Sequence, residues 1–468
     1  MYIDFAALSA MSSLPLALAT RGNFPDAGDD MQDSTPHSQE HQADTRSFKP
    51  RWRYRGFWRR NIVFILGACL IGLVSAGFAR AADTAQQWFE YARMASPLLV
   101  LPATMVGFVL AAAATTRWYP TSRGSGIPQV IAARRTAELE RREELIGGKV
   151  TLWKIALTLA GLLFGASIGR EGPTVQVGAC IMFLLGSYAG LRKPQGLVLA
   201  GAAAGIAAAF NTPLAGIMFA IEEMAKSYEK RISGLIIAAV VVAGAVSAAL
   251  LGNYKYFGHA VITTGFARAM TYAVICSIPC GLAGSFFSYA LLATGKAYRR
   301  RLNNAPMRLK RYLPYAFPAL CGLIVGLSGL LTAGYANGTG YEQTKLALET
   351  GQAMPLWYGP LKLLATLASS ASGLPGGLFS PSLSVGAGLG SLIAAFLPTG
   401  DLSTIMLLST AAYFAAVVQS PLTAFVIVTE MTVSNDLLVP LLAATFIAAG
   451  ISSFLTREPL YHALSRQF

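Results

Sequence analysis

Charged side chains are scarce in this sequence. Of its 468 residues, 13% are Asp, Glu, Lys or Arg and 54% are hydrophobic, and the mean hydropathy is +0.50. Soluble globular domains carry about 25% charged residues, so this composition excludes a water-soluble globule and indicates a chain that lies mostly in lipid. Four apolar runs approach the roughly 20 residues that a helix needs to cross a bilayer. They are residues 61–79, 98–115, 232–251 and 438–455.

Metal-ligating residues are few as well. None of the five cysteines has a neighbouring His or a second Cys pair at metal-ligand spacing, so we expect no metal site and no cofactor. The cysteines are predicted to pack as small apolar side chains. They are Cys69, Cys180, Cys276, Cys280 and Cys321.

Acidic residues are missing from two basic segments. Residues 46–60 and 296–311 each carry seven Lys or Arg and no acid, within a formal net charge of +14. Both segments adjoin apolar runs, which favours cytoplasmic anchoring at the lipid bilayer over binding to nucleic acid. Residues 1–45 are predicted to form a disordered cytoplasmic tail, and residues 52–60 a basic helix on the membrane surface. Both chain termini are expected to be cytoplasmic.

The two basic segments predict an inverted repeat. Residues 61–79 should run from inside to outside, whereas a long span over residues 264–297 should run from outside to inside, because it ends at the second basic segment. We therefore predict an all-α polytopic membrane protein of two inverted-topology repeats, residues 46–252 and 253–468, built from tilted and broken helices.

Sequence identity between the halves supports this repeat. Residues 169–178 and 377–386 share Gly, Pro, Val and Gly at an offset of 208, and the Pro-Leu pairs in residues 211–214 and 419–422 have the same offset. Short helices broken by Gly and Pro in corresponding places of an inverted repeat predict a substrate site near the bilayer midplane.

Residues 124–128, Gly-Ser-Gly-Ile-Pro, predict a helix start. The N–H groups and positive pole of such an end, with the Ser125 hydroxyl, can hold an anion without a full positive charge, so that the anion can leave again. The alternative is an ordinary N-cap turn.

Residues 169–173, Gly-Arg-Glu-Gly-Pro, place an acid where a second helix begins. A carboxylate at Glu171 can occupy the position of an anion when ionised and leave it when protonated, which couples proton binding to anion movement. The alternative is a capping acid at the membrane surface. Arg170 is predicted to be a structural or snorkelling charge.

Two adjacent acids, Glu222 and Glu223, end an apolar stretch that predicts an uninterrupted helix over residues 213–224. One of them is predicted to be an inner proton relay, although solvated acids at the cytoplasmic face are the alternative. Glu430, which lies 208 residues after Glu222, is predicted to be structural. Phe379 lies 208 residues after Glu171, and on their own both it and Tyr461 are more often core aromatics than ligands.

Taken together, these segments resemble the CLC family of chloride channels and chloride/proton exchangers, in order over about residues 50–468, and in particular its bacterial type. The signature residues are Gly124, Gly126, Pro128, Gly169, Arg170, Gly172, Pro173, Gly377 and Pro381.

The resemblance implies a transporter of chloride and protons. It also implies a homodimer with one pore per subunit in a bacterial inner membrane. The implied chloride site consists of the hydroxyl groups of Ser125 and Tyr461 and the backbone N–H groups of Leu378 and Phe379. Ser125 is the residue typical of chloride selectivity.

The resemblance also assigns the acids. Glu171 resembles the external gating glutamate, and Glu223 the internal proton glutamate, which favours exchange, with Glu222 in possible support. The alternative is a passive, voltage- or pH-gated chloride channel of the same fold. Gln129 departs from the Glu common in bacterial relatives, which affects local salt bridging. The sequence ends seven residues after Tyr461, so the cytoplasmic nucleotide-binding modules of many relatives are expected to be absent.

A different class, an intramembrane serine hydrolase, is suggested by Ser167 in residues 165–169, which fits the spacing of a nucleophile elbow, and by Ser328 between glycines. Such an enzyme needs a base, and none of the four histidines lies in a clear apolar span. Small residues at helix contacts explain these segments better, so we predict that the protein is not an enzyme.

Overall fold

The structure, a computed structural model, describes residues 55–191, 194–225, 234–252, 255–258, 260, 262, 264–397, 401–432 and 436–468. The predicted tail over residues 1–45 and the start of the basic segment lie outside these residues. The described part of the predicted surface helix, residues 55–60, belongs to the first long helix and is not a separate element.

Most of the described residues are helical, and the only strand-like pairings among them are two isolated bridges. The prediction of an all-α polytopic membrane fold is thereby confirmed. In chain order the α-helices are α1 (Arg55–Ala95), α2 (Pro97–Trp118), α3 (Ile127–Arg135), α4 (Leu139–Ile146), α5 (Gly148–Leu163), α6 (Glu171–Tyr188), α7 (Pro194–Phe210), α8 (Pro213–Phe219), α9 (Gly234–Leu251), α10 (Phe266–Asn304), α11 (Met307–Leu331), α12 (Tyr341–Thr350), α13 (Tyr358–Ala371), α14 (Phe379–Ala394), α15 (Leu402–Val418), α16 (Pro421–Met431), α17 (Leu438–Leu455) and α18 (Leu460–Ser465).

The helices fall into long helices that can span a membrane and shorter buried helices. Within the described part of the chain, seven helices are long and apolar enough to cross a membrane, and the predicted apolar runs lie in α1, α2, α9 and α17. The helices α7 and α15 are 17 residues each and buried along most of their length. Because their neighbours and not lipid surround them, these short helices can end within the protein.

The 208-residue repeat is visible in the helix ends. The helices α6 and α14 begin 208 residues apart, as do α8 and α16, while α7 and α15 end at that spacing. Asn211 and Gln419, which follow α7 and α15, both adopt positive φ angles of 57° and 56°. A left-handed residue ends a helix, and the proline two residues later starts the next one, so the same sequence signal produces the same break in both halves.

One element differs from expectation. The helix predicted to run uninterrupted over residues 213–224 is α-helical only to Phe219, and Ala220–Ala225 form a π-helical turn. A π turn contains an extra residue per turn, which changes the direction of the side chains that follow it. Here it directs Glu222 to the start of α16 in the other half, where the Glu222 carboxylate accepts backbone hydrogen bonds.

The contact between α8 and α16 is reciprocal. Each helix start donates two backbone N–H groups to a glutamate of the other half, and the four donors and two acids are related by the 208 offset. The pairs are Glu222 with Leu422 (3.1 Å) and Thr423 (2.6 Å), and Glu430 with Leu214 (3.0 Å) and Ala215 (2.7 Å). Glu430 therefore caps a helix, consistent with the structural role predicted for it.

Candidate anion and proton site

The site is built on a backbone junction between the two halves. Gly169 and Gly377 exchange hydrogen bonds as an antiparallel pair, with N···O distances of 2.8 and 2.7 Å. Gly169 and Gly377 are equivalent positions of the repeat, and their two chain segments run in opposite directions. The reciprocal pair of hydrogen bonds therefore relates the two segments by a local two-fold axis. Gly124 adds the third segment, since it donates to Leu374 O at 3.2 Å and accepts from Gly376 N at 3.1 Å.

Close approach explains the signature glycines. A Cβ on Gly172 would lie 2.4 Å from Ser125 Oγ, and one on Gly126 would lie 2.8 Å from Gly172 O. A Cβ on Gly377 would lie 2.9 Å from Gly172 N. No larger side chain fits without moving the backbone, so the three signature segments meet only because glycine occupies these positions.

Three helices begin beside this junction, namely α3 at Ile127, α6 at Glu171 and α14 at Phe379. The first turn of a helix leaves N–H groups without intrahelical acceptors and carries a partial positive charge. The predicted ligands Leu378 and Phe379 are the residue before α14 and its first residue, so their backbone lies at such an end.

The structure brings Ser125 and Tyr461 together. Tyr461 is fully buried, lies beside Ser125, and interacts electrostatically with Glu223 and Glu171. Within the described residues, the two hydroxyl groups face each other, and neither oxygen makes a hydrogen bond of good geometry. Buried hydroxyl groups normally have partners, so this pair is suited to donate to a ligand such as an anion.

Aromatic rings surround the same point. The Phe379 ring lies 5.9 Å from the Tyr461 ring, 4.9 Å from Phe414 and 6.1 Å from Phe210, between centroids. Phe379 is fully buried. Apolar walls around a few aimed donors lower the local dielectric constant, which strengthens attraction between the donors and an anion.

Glu171 is fully buried at the start of α6. Its Oε1 accepts a hydrogen bond of 2.5 Å from Ser380 Oγ, and Ser380 Oγ lies 2.8 Å from the Tyr256 hydroxyl. Its Oε2 has no hydrogen-bond partner within the described residues. The contacts of Ser380 and Tyr256 were not predicted, although Ser380 lies in the signature around Pro381.

Arg170 is held away from this centre. Its guanidinium donates to Asp83 Oδ1 at 2.6 Å and to Ala79 O at 2.8 Å, both on α1. This pairing agrees with the structural role predicted for Arg170, because it fixes the start of α6 against α1.

The two inner acids have different surroundings. Glu223 is 1% exposed, and its Oε2 accepts a hydrogen bond of 2.6 Å from Ser420 Oγ. His462 Nε2 lies 3.9 Å from its Oε1. Glu222 is partly exposed, and its carboxylate accepts a hydrogen bond from the backbone at the start of α16. Sequence reasoning missed Ser420 and His462, since neither stands out in an apolar segment.

Two fully buried lysines, 208 residues apart, were also missed. Lys154 Nζ donates to Gly124 O at 2.7 Å and so fixes the loop that carries Ser125. Lys362 Nζ donates to the carbonyl groups of Ala336 (3.0 Å), Asn337 (3.2 Å) and Gly338 (2.8 Å). The sequence feature that could have identified them is a lysine inside an apolar run in each half, at the 208-residue spacing of the repeat.

A cavity of about 500 Å³ reaches Ser125. Two guanidinium groups and several aromatic rings are part of its wall, including one ring, Phe468, that lies 5.5 Å below the Arg123 guanidinium. Two of the cavity's lining residues, Arg123 and Arg299, are positively charged, which favours the entry of anions. Lining residues include Arg123, Tyr298, Arg299, Phe317 and Phe468.

Known proteins resemble this chain along most of its length. The profile of the family described as voltage gated chloride channel matches residues 106–453. A protein of Yersinia pseudotuberculosis serotype IB (strain PB1/+) named H(+)/Cl(-) exchange transporter ClcA is 30% identical over 438 residues, covering 86% of this chain and 87% of that protein. A Citrobacter koseri protein of the same name is 27% identical, with coverages of 86% and 88%.

Solved structures share the fold. A slow cyanobacterial Cl−/H+ antiporter superposes with a TM-score of 0.74 at 23% identity, covering 87% of this chain and 97% of that chain. A CLC-type fluoride/proton antiporter gives a TM-score of 0.72 at 22% identity, with coverages of 87% and 98%. The matched profile spans more than half of the sequence and includes all three signature segments, and the protein therefore belongs to the voltage gated chloride channel family.

Proposed function

We propose that this protein exchanges chloride for protons across a membrane. The observation that carries the proposal is the pair of buried hydroxyl groups, Ser125 and Tyr461, together with two buried acids, Glu171 and Glu223, that both interact with Tyr461. The curated relatives described above are named as H(+)/Cl(-) exchange transporters, which supports the same substrates.

Chloride is held without a formal positive charge. The Ser125 and Tyr461 hydroxyl groups donate to it, and the start of α14 at Leu378 and Phe379 adds backbone N–H groups and a helix dipole. Since no lysine or arginine ligand is needed, the anion dissociates readily toward the cavity that Arg123 lines.

Protons use the two acids. Ionised Glu171 competes with chloride for a position in the pathway, and protonation removes its charge and releases the pathway. Glu223 exchanges the proton with the inner solution, while Ser420 holds one of its carboxylate oxygens. Glu222 supports this arrangement through the π turn that it shares with Glu223.

A passive channel of the same fold is the second candidate. A channel needs a gate at Glu171 but no inner proton acceptor. The burial of Glu223 to 1% exposure and its bond to Ser420 favour the exchanger, because a solvated surface acid would need neither.

The assembly and orientation belong to the same proposal. The protein is a homodimer with one pore per subunit, its halves are residues 46–252 and 253–468 related by an axis in the plane of a bacterial inner membrane, and both termini are cytoplasmic. No hydrolytic step is included, because the hydroxyl group that lies 2.9 Å from the Ser167 hydroxyl belongs to Thr366, which is not a base.

Paired chloride and pH recordings on purified protein in liposomes test the proposal. A chloride gradient should drive proton movement, Glu171→Gln should leave chloride flux but abolish that movement, and Glu223→Gln should reduce proton flux selectively. Proton coupling that survives Glu171→Gln contradicts the assignment of Glu171. Chloride flux in the wild type with no accompanying pH change identifies the channel instead.

A further inference from the structure

His462, the third residue of α18, contacts Glu223 directly. It is 4% exposed, and its Nε2 lies 3.1 Å from Glu223 O and 3.9 Å from Glu223 Oε1. On the opposite side of the ring, Nδ1 lies 2.7 Å from Arg135 Nη2. His462 therefore lies between a buried acid and an exposed guanidinium on α3.

The arginine determines which ring nitrogen carries the proton. A guanidinium only donates hydrogen bonds, so Nδ1 of His462 must accept from Arg135. The proton of the neutral ring is then on Nε2, which donates to Glu223 O. A second proton on Nδ1 would replace this bond by repulsion between two cations, so Arg135 opposes the imidazolium form.

The carbonyl group that His462 satisfies belongs to the π turn. Glu223 and Met224 belong to the turn Ala220–Ala225, and the backbone carbonyl groups of both accept hydrogen bonds from side chains outside it. His462 donates to the first of these carbonyls, and the Arg134 side chain donates to the second. Both donors come from outside the turn and hold its backbone in place.

Other polar and titratable groups of the described residues lie close to His462. On the same short helix, Tyr461 interacts electrostatically with Glu223, and the Ser465 hydroxyl is 3.4 Å from Arg135 Nη1. From α16, Ser420 holds Glu223 Oε2. Among the described residues, Arg135 is a cation that faces the Nδ1 side of the His462 ring, and Glu223 is an acid that faces the Nε2 side.

From this geometry we infer that His462 is a positioning residue for Glu223. Its Nε2–H fixes the π turn so that the Glu223 carboxylate stays against Ser420, and Arg135 donates to Nδ1 and so keeps the ring proton on Nε2. This inference deepens the proposed function and rests on Glu223 as the inner proton acceptor.

Two substitutions of His462 test the roles of its two ring nitrogens separately. His462→Gln places an amide N–H near the position of Nε2, whereas His462→Asn places an amide oxygen near the position of Nδ1 and has no donor toward Glu223. We expect His462→Gln to keep the wild-type ratio of proton to chloride flux, and His462→Asn to lower proton flux about fivefold, the effect of one lost hydrogen bond, with chloride flux unchanged.

The outcomes are decisive. If both variants lose proton flux, His462 relays protons itself and the inference is overturned; if neither does, His462 is not needed. Glu223→Gln is measured in parallel. Wild-type proton coupling in Glu223→Gln would contradict the proposed function. Loss of coupling in Glu223→Gln together with normal coupling in His462→Asn would contradict this inference alone.

A second variant keeps the test independent of the folding of His462→Asn. Arg135→Gln removes the cation that opposes protonation of the His462 ring, so the ratio of proton to chloride flux should acquire a dependence on inner pH that the wild type lacks. The double variant with His462→Gln should lack this dependence. An unchanged pH profile in Arg135→Gln contradicts the role given to Arg135.

Discussion

Single residues at the site act through hydrogen-bond direction more than through charge. Gln129 donates its amide to Thr121 O at 2.8 Å and Arg123 O at 2.6 Å, and so holds the loop that precedes Ser125. The sequence expectation for this position concerned a lost salt bridge. The structure shows instead that the amide supplies donors that a glutamate cannot supply when it is ionised.

The exchange Gln129→Glu should therefore destabilise the protein. A carboxylate there faces two carbonyl oxygens and leaves both unsatisfied, at a cost of about 1–3 kcal/mol or more. Thermal unfolding in detergent measures the effect. Gln129→Met is the control, since it loses the donors without adding charge and should be less damaging; a higher melting temperature for Gln129→Glu than for Gln129→Met would contradict this account.

Backbone approach at Gly172 gives a second residue-scale prediction. Gly172→Ala should abolish or strongly reduce chloride flux, because the new Cβ would lie 2.4 Å from Ser125 Oγ. Gly77→Ala is the matched helical control, as a Cβ there has nothing within 4 Å. Flux in liposomes is compared at equal protein content, and near-normal flux in Gly172→Ala would show that the three segments can separate without loss of function.

At the scale of elements, the two halves cap each other. The start of α16 donates to Glu222 and the start of α8 donates to Glu430, so each repeat supplies the acid for a helix of the other. Charged caps at helix starts are stronger than neutral ones, and these are shielded by both helices. The two glutamate caps together stabilise the contact between α8 and α16.

The symmetry of the two glutamate caps leads to a quantitative prediction. Glu222→Gln and Glu430→Gln should each lower the free energy of unfolding by a similar amount, about 1–2 kcal/mol, because each removes one charged acceptor from two N–H groups. Melting temperatures in detergent compare them, with the exposed Glu140→Gln as control. Loss in one variant only would mean that the two caps are not equivalent.

The sequence predicts elements well where one signal repeats. Hydropathy located the spans in α1, α2, α9 and α17, and the 208 offset located equivalent breaks after α7 and α15. The π turn at Ala220–Ala225 was not predictable, because it depends on a contact between Glu222 and α16 some 200 residues later. His462 was missed for the same reason, since its partners lie on α3 and the π turn.

The whole molecule combines a lipid-facing exterior with polar helix ends inside. The 39-residue α10 extends roughly 58 Å at 1.5 Å per residue, more than a bilayer core of about 30 Å, so it projects into water at one end. That end carries the basic residues 296–304, and α11 starts beside them. Positive charge at this end predicts that it is cytoplasmic.

This orientation is testable by labelling single cysteines in a Cys69→Ala background, since the other four cysteines are buried. Asn303→Cys at the end of α10 and Gln352→Cys after α12 are both exposed positions. A membrane-impermeant maleimide added to intact spheroplasts should label Gln352→Cys and reach Asn303→Cys only after lysis, because α11 leads from the basic end to the opposite side. The reverse pattern would invert the membrane orientation, and with it the assignment of Glu171 to the outer solution and Glu223 to the inner one, while leaving the anion site itself intact.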